Sequence, residues 1–495
     1  MFHFQINRLF KVVTLASLTA VLAVSWHTGA SAQMCPQMGW QENLANYQKP
    51  TAVFPTQDTA RLPTPDCNFH QWSAEAFVWA TALDKNGVAR FLTLPSVEQL
   101  LVKPALRSSG AKTGASASAS AAPRLRLGMR SAAHAVASPT GAGAIVEADG
   151  SMLVGPNGYP VYASVHMNKA YFDTAKANMI KTGGYQKNTG TDAYFPVGAA
   201  VFKATWLRLD AGEAAPQGAF VTQAEVPKLS NQSANLNNAL IAPNPNGETE
   251  SVTVALVGLH VVGQTVNHPE FLWATFEHNL NAPRVADNTF SSSGSSQAGY
   301  TFYAKNTHYS QVNIYQPQTP PIGATPQLSF DQSTQKFAPI AAVVQLNATG
   351  GENQPQGAQN VLAVSRSMSG FFNYSSPSPA QALFANYLLN GTVWFAPNSY
   401  VKRNPKLVNL NASNAIGSVN LANSTAETFQ QVASNVNMDK VQNCFMCHNA
   451  QMSSNAQFNP LRLKSRRIAI SHVLGEGTSY AVPNLVNIPL LVNAK

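Results

Sequence analysis

The sequence contains few charged residues. Asp, Glu, Lys and Arg make up 11% of its 495 residues, against about 25% in typical soluble proteins. Segments that combine low hydrophobicity with high charge are missing, which excludes a chain that is disordered throughout. Hydrophobic residues reach 45%, so a core can be built. At roughly one domain per 150 residues, the length allows two or three domains.

Cysteine is also scarce. Four cysteines exclude a disulfide-dense scaffold, and they fall into two pairs at opposite ends of the chain. Cys35 and Cys67 lie towards the N-terminus, and we predict that they form a structural disulfide. The alternatives are free thiols or an intermolecular bridge.

Long apolar runs are absent except near the N-terminus. There, Arg8 and Lys11 precede an apolar run over residues 12–24, and Ala30-Ser31-Ala32 follows. A positive region, an apolar region and an A-x-A site are typical of a secretory signal peptide; the alternative is an uncleaved anchor helix. No later stretch reaches the roughly 18 apolar residues of a membrane span. We therefore predict a periplasmic protein that is cleaved near Ala32 and has no stable membrane span in its mature chain.

The second cysteine pair belongs to Cys444-Phe445-Met446-Cys447-His448. C-x-x-C-H is the attachment sequence of c-type haem, because two thiols at this spacing reach both vinyl groups of one porphyrin edge and the adjacent His binds the iron. Half of a zinc site is an alternative, but no second cysteine pair completes it. A dithiol redox motif is another, but it needs no trailing His. The motif predicts one covalently attached haem c, with His448 as an iron ligand.

The second iron ligand is less clearly marked. His472 lies far enough downstream of His448 for the chain to cross the ring edge, and it is our predicted metal ligand; the alternative is a surface or capping histidine. His260 and His278 sit in predicted strands. Either could approach the iron if that sheet packs over the haem, although a core or edge histidine is the default for both.

A basic run follows the motif. Arg462, Arg466 and Arg467 can form forked hydrogen bonds with carboxylates, so we assign them to the cofactor-binding set as partners of the haem propionates. A docking face is a competing function, and a solvated basic loop is the alternative without function. The chain carries no phosphate-binding glycine loop, no nucleophile elbow and no H-E-x-x-H zinc helix.

Composition and periodicity predict an α+β protein. It would have an N-terminal helical segment, a mainly antiparallel β domain and a C-terminal helical haem c-binding lobe. The predicted segments are a signal peptide (1–32), an arm with helices (33–107), a flexible Ser/Ala/Gly-rich insertion (108–143), a β-rich domain (144–360) and a helical c-type haem domain (361–495).

Individual elements can also be predicted. Apolar residues from Trp72 to Leu83 recur at helical spacing, and 378–389 has a similar pattern. Ser424 and Glu427 form a capping box that would open another helix. β-Branched or alternating residues predict strands over 160–165, 200–206, 251–262 and 271–276.

Several scattered stretches resemble a family of exported bacterial single-haem cytochrome c-like proteins of uncharacterised activity. They are Cys67–Trp72, Pro160–Tyr162 with Asn168, Phe202–Trp206, Val257–His260, Trp273–His278, Leu421–Thr425 with Glu427 and Thr428, and the C-x-x-C-H motif. The resemblance covers most of the mature chain and implies haem binding in one integrated protein. The insertion at 108–143 departs from the family's pattern.

These observations predict an exported c-type cytochrome that transfers electrons to or from a partner. The alternatives are a haem enzyme, either peroxidase-like or a dehydrogenase subunit, and a haem-based ligand-binding sensor, so enzymatic activity stays open. The net charge is +9, and residues 361–495 hold ten basic and three acidic residues, whereas 33–360 are balanced. In an exported protein this predicts a redox partner with an acidic docking face rather than nucleic acid.

Overall fold

The fold is organised around one long strand, β7 (Thr249–Gly263). Its residues are rich in valine, which suits an extended and buried chain, and most of its C-terminal half is buried. The computed structural model describes residues 35, 41–57, 65–101, 125–127, 152–182, 195–231, 239–244, 246–268, 270–284, 299–308, 312, 329–345, 355–395, 415–427, 444–447 and 487–488.

The other described elements complete an α+β arrangement. The helices are α1 (Gln41–Gln48), α2 (Pro65–Thr81), α3 (Val97–Leu101), α4 (Lys169–Thr182), α5 (Pro355–Ser375), α6 (Pro379–Ala382) and α7 (Cys444–Cys447). The remaining strands are β1 (Leu125–Arg126), β2 (Tyr162–Met167), β3 (Ala200–Arg208), β4 (Val221–Pro227), β5 (Leu229–Asn231), β6 (Ala239–Pro243), β8 (Leu272–His278), β9 (Ser329–Asp331), β10 (Lys336–Ala338), β11 (Tyr387–Phe395), β12 (Ala415–Gly417) and β13 (Asn487–Ile488).

The main sheet has eight strands. Strand β7 pairs antiparallel with β3, β4 and β8, and β8 continues through β11 to β12. Val254 and Ala255 pair with both β3 and β4, so these two strands lie on opposite edges of β7. Only the pairing of β1 with β4 is parallel among the described strands of this sheet. The predicted α+β class with a mainly antiparallel sheet is confirmed.

Side-chain alternation divides the sheet into two faces. On what we call the first face, Phe202, Leu259 and Phe276 pack in one apolar cluster with side chains of α2 and α5. On the second face, a smaller cluster contains Val262, Trp273 and residues of α3, α4 and α7. The candidate site lies on this second face.

The N-terminal prediction is confirmed in two respects. Cys35 and Cys67 form a disulfide with 5.4 Å between their Cα atoms. Helix α2 covers most of the predicted helical pattern, and its Trp72 and Phe77 are fully buried.

The helix predicted over 378–389 is confirmed only at its start. Helix α6 ends at Ala382, a 3₁₀ turn covers Leu383–Asn386, and β11 begins at Tyr387. Long-range pairing with β8 provides the backbone partners of β11, so tertiary context overrides the local helical pattern.

Strands from several of the predicted segments belong to the same sheet. Strand β11, which follows the border predicted at 360, shares the sheet with β8, which precedes it. Within the predicted insertion, Leu125 and Leu127 are buried, and β1 joins the sheet edge beside β4. Among the described residues, no helix is long and apolar enough to cross a membrane.

Candidate functional site

Helix α7 is a single turn that begins at Cys444 and ends at Cys447. Residues three apart in a helix lie on the same side, so the two cysteines are neighbours along one edge of the turn. Cys444 is half-buried and packs against the apolar cluster of the second face. The turn therefore places Cys444 beside an apolar surface, and Cys447 is the last residue of the same turn.

Phe445 fixes this turn to the sheet. Its ring stacks on Phe395 at 4.1 Å between centroids and meets the edge of Trp273 at 6.0 Å. Phe445 is 1% exposed, and aromatic pairs of this kind contribute about 0.5–1.5 kcal/mol beyond their buried area. Phe445 thus holds the C-x-x-C segment against the sheet.

A segment that precedes α7 also crosses the second face, and we call residues 415–427 the strap. Its first residues form β12, which pairs with the end of β11. Two sheet glycines allow its close approach: a Cβ at Gly258 would meet Thr205, Asn423 and Thr425, and one at Gly391 would meet Ser418. Larger residues at either glycine would lift the strap from the sheet.

Glu277, on β8, binds the strap through its carboxylate. Its carboxylate accepts hydrogen bonds from the backbone N–H of Ser424 at 2.7 Å, from the Ser424 hydroxyl and from the side-chain amide of Asn390. Gln345 Nε2 donates a further bond at 3.3 Å. Burial raises the pKa of Glu277, while the Ser424 hydrogen bonds and the charge of Arg284 oppose that rise.

Asn423 links the strap to β8, and its neighbour Thr425 links it to β3. Its side-chain amide donates to Thr275 Oγ1 at 2.8 Å and to the carbonyl of Phe276 at 3.2 Å. Its side-chain oxygen accepts from the backbone N–H and the hydroxyl of Thr425. The Thr425 hydroxyl lies 2.7 Å from that of Thr205, so the contact extends to β3.

Glu427 is the last residue of the strap. Its carboxylate lies 2.8 Å from His260 Nε2 and 3.7 Å from Lys203 Nζ, and it accepts the backbone N–H of Asn423 at 3.0 Å. Burial alone would raise the pKa of Glu427, but the charges of His260 and Lys203 outweigh it and hold this pKa at about 2.

The loop between β7 and β8 carries another carboxylate–imidazole pair. Glu270 Oε1 lies 2.7 Å from His268 Nδ1 and accepts the backbone N–H of Phe395 at 3.3 Å. Glu270 Oε2 is buried and has no hydrogen-bond partner, and burial raises the pKa of this carboxyl. The next residue, Phe271, has a φ of 70°, a backbone conformation that is uncommon for a bulky side chain.

The structure describes only some of the predicted site residues. Cys444 and Cys447 lie together on α7. The other predicted ligands and propionate partners lie outside the described residues: His448, His472, Arg462, Arg466 and Arg467.

The two strand histidines point to opposite faces. His260 lies on the second face, where it meets Glu427. His278 is buried on the first face against Tyr387, at 5.3 Å between ring centroids, and desolvation lowers its pKa to about 4.

The capping role predicted for Ser424 is wrong. Its hydroxyl donates to Glu277, and the N–H of Glu427 bonds instead to the carbonyl of Asn423. A buried carboxylate on the sheet attracts the hydroxyl away from the local backbone, so the same residues anchor the strap.

Sequence reasoning missed His268 and Glu270 and gave Glu277 and Glu427 no binding role. One available signal was an acidic residue inside an apolar strand, as at Glu277 in Trp273–His278, since a charged residue is rarely fully buried without a partner.

Among the described residues, no group of three or more His, Cys, Asp and Glu side chains could hold a metal ion. Comparisons with protein-family models, curated proteins and solved structures found no match.

Proposed function

We propose that this chain is an exported c-type cytochrome that carries one covalently attached haem and transfers electrons to or from a partner protein. The observation that carries the proposal is the C-x-x-C-H sequence at 444–448, whose two cysteines bracket one helical turn. Residues at this spacing lie on one side of a helix, which is the arrangement that attachment to one porphyrin edge requires.

The surroundings of α7 suit a large apolar cofactor. Trp273, Phe395 and Phe445 pack beside Cys444 in the cluster of the second face. An apolar environment of this kind excludes water and adjusts the reduction potential of a bound iron.

Four residues of the motif have distinct roles in this proposal. Cys444 and Cys447 would hold the haem through two thioether bonds. His448 would bind its iron. Phe445 holds the turn against the sheet. The haem, when bound, supplies one-electron oxidation and reduction.

Two carboxylates that contact the strap already have structural partners, which supports electron transfer over acid–base catalysis by these two groups. Glu277 is bound by Ser424 and Asn390, and Glu427 by His260. Neither carboxylate is presented as an open acid or base beside α7.

Export and the type of partner follow from other features. The N-terminal sequence has the order of a signal peptide, and the Cys35–Cys67 disulfide is compatible with an oxidising compartment. The basic excess of residues 361–495 would steer the protein towards an acidic face on its redox partner.

Covalent attachment is tested by expressing the full chain in a bacterium that exports proteins and attaches haem c. We expect haem to stay with the denatured polypeptide at one per chain, measured by the pyridine haemochrome spectrum. Cys444→Ala with Cys447→Ala should lose it, whereas Met446→Leu, which keeps both cysteines, should retain it. Denatured wild-type chain without haem would refute the proposal.

The reaction is tested on the same loaded protein. The haem should be oxidised and reduced reversibly. A rate of electron transfer to an acidic partner protein that falls as salt is added would support the proposed reaction. Rapid binding of carbon monoxide by the ferrous protein would favour the haem enzyme or the sensor instead.

A further inference from the structure

The loop between β7 and β8 holds a buried acid close to the haem-attachment turn. Glu270 accepts the backbone N–H of Phe395, and the Phe395 ring stacks on Phe445 at 4.1 Å between centroids. Phe445 is the residue after Cys444. One residue of β11 thus connects the carboxyl of Glu270 to the C-x-x-C turn, and the proposed function gives this carboxyl no role.

The two oxygens of Glu270 have different surroundings. Oε1 lies 2.7 Å from His268 Nδ1 and accepts the N–H of Phe395 at 3.3 Å. Oε2 is buried and has no hydrogen-bond partner. Burial raises the pKa of Glu270, and this effect outweighs the hydrogen bond and charge of His268, which lower it. A buried carboxylate with an unsatisfied oxygen is costly in its ionised form, so protonation relieves part of that cost.

The other two carboxylates near the strap are better compensated. Glu277 accepts four hydrogen bonds and lies near the charge of Arg284. Glu427 has a partner on each oxygen, His260 on one and the backbone N–H of a strap residue on the other. Glu270 is the one of these three with an oxygen that lacks a partner. A proton on Oε2 would therefore displace no existing hydrogen bond.

The loop brings solvent close to this acid. Val266 is 50% exposed and Asn267 is also exposed, whereas His268 and Glu270 are buried. The chain therefore passes from solvent to the buried pair within one residue. Water at the loop surface can supply and accept a proton there.

The elements packed against the acid contribute few charges. Strand β11 provides the backbone N–H of Phe395, and α2 provides the ring of Phe69, which packs on His268 at 4.9 Å between centroids. Neither group titrates. Among the described residues, His268 is the titratable group that acts on Glu270.

A change of charge at a nearby haem would act on such an acid. At an effective dielectric constant of about 20, unit charges roughly 10 Å apart interact strongly enough to change a proton affinity by about tenfold. Reduction adds one negative charge, which favours the neutral form of a neighbouring carboxyl. Oxidation favours the ionised form.

We propose that Glu270 is the proton-binding site that is linked to the oxidation state of the haem. When one electron enters from the redox partner, the Glu270 carboxylate takes one proton from water and forms an O–H bond at Oε2. When the electron leaves, that bond breaks and the proton returns to water. This inference rests on the proposed function, because it requires a haem at Cys444 and Cys447.

The test measures the midpoint potential of the full, haem-loaded chain as a function of pH. The wild-type potential should fall as the pH rises over one limited range and level off on both sides, because the reduced form binds the proton more tightly. A tenfold difference in affinity separates the two levels by about 59 mV for one electron. Glu270→Gln, which stays neutral in a side chain of similar size, should keep the upper level at every pH.

Two further variants separate Glu270 from other sources of pH dependence. Glu277→Gln, the matched control at another buried glutamate, should change the level of the potential but keep its fall with pH. His268→Leu should keep the fall and move it to higher pH, because the hydrogen bond and charge of His268 lower the pKa of Glu270. A fall that stays at the wild-type pH in His268→Leu would overturn the assignment without any change to the carboxyl itself.

Infrared difference spectra detect the proton directly. Reduced-minus-oxidised spectra of the wild-type chain should show a new carbonyl band of a protonated carboxyl, which shifts in D₂O and is missing in Glu270→Gln. A wild-type spectrum without this band, or a band that persists in Glu270→Gln, would overturn the assignment.

The outcomes separate this inference from the proposed function. Wild-type chain without covalent haem overturns both. Covalent haem whose potential does not change with pH overturns only the role of Glu270. The same conclusion follows if the potential falls equally in wild type and in Glu270→Gln.

Discussion

Gly258→Ala should detach the strap from the sheet. A Cβ at this position would lie 2.5 Å from Thr205 Oγ1, 2.6 Å from Thr425 Oγ1 and 2.9 Å from Asn423 Nδ2. The backbone of Gly258 is not in the left-handed region, so alanine meets no conformational barrier. The effect would come from these steric contacts.

The magnitude follows from three contributions. Overpacking a closed site costs about 1–3 kcal/mol. Separating the hydroxyls of Thr205 and Thr425, which are 2.7 Å apart, removes a hydrogen bond worth about 0.5–1.5 kcal/mol. Replacing glycine stabilises the folded state by about 0.4–1 kcal/mol through the unfolded chain. We expect a net destabilisation of about 2 kcal/mol.

Hydrogen exchange measures this loss where it occurs. A change of about 2 kcal/mol corresponds to roughly 30-fold faster exchange. It should appear at the backbone N–H of Ser424, which donates a hydrogen bond to Glu277. Peptides from β4 serve as the internal control. Adding Thr425→Ala should relieve part of the steric effect. Acceleration below about 3-fold, or equal acceleration in β4, would show that the strap does not depend on this close approach.

Two further predictions concern stability. Replacing Cys35 and Cys67 by alanine should lower the free energy of unfolding by about 3.5–4 kcal/mol, the loop-entropy value for the separation of 32 residues; a loss under about 1 kcal/mol in urea unfolding would contradict it. Glu427 has a pKa of about 2 in the fold against an ordinary 4.5, so its contribution is present above pH 4.5 and declines as the pH falls towards 2. Glu427→Gln should therefore flatten the decline of the urea midpoint over this pH range, and an unchanged slope would count against the contact with His260.

The strands were predictable because their signal is local. Valine-rich or alternating residues mark β3, β7 and β8, and side-chain period fixes which residues face one cluster. Strand β11 lacks such a pattern at its start, where residues 378–389 have helical spacing. Its conformation depends on pairing with β8, which is distant in the sequence.

The candidate site was only partly predictable for a related reason. The C-x-x-C-H sequence is a contiguous motif, so its cysteines could be found directly. The partners of the strap are far apart in sequence: Glu277 meets Ser424, and His260 meets Glu427. No spacing rule joins such residues, because their proximity comes from strand pairing and from the small side chain at Gly258.

Two buried carboxylates and one partly buried carboxylate give the low charge content of the chain a structural meaning. Glu270, Glu277 and Glu427 accept the backbone N–H groups of Phe395, Ser424 and Asn423 respectively. Burying a carboxylate is costly unless it is hydrogen-bonded or paired, so each one stabilises only the arrangement that brings its donor into place. All three donors belong to the end of β11 or to the strap, which leads towards α7. These carboxylates would then provide position rather than net stability. Glu277→Gln should therefore lower the global free energy of unfolding by less than it lowers the opening free energy of the strap measured by hydrogen exchange.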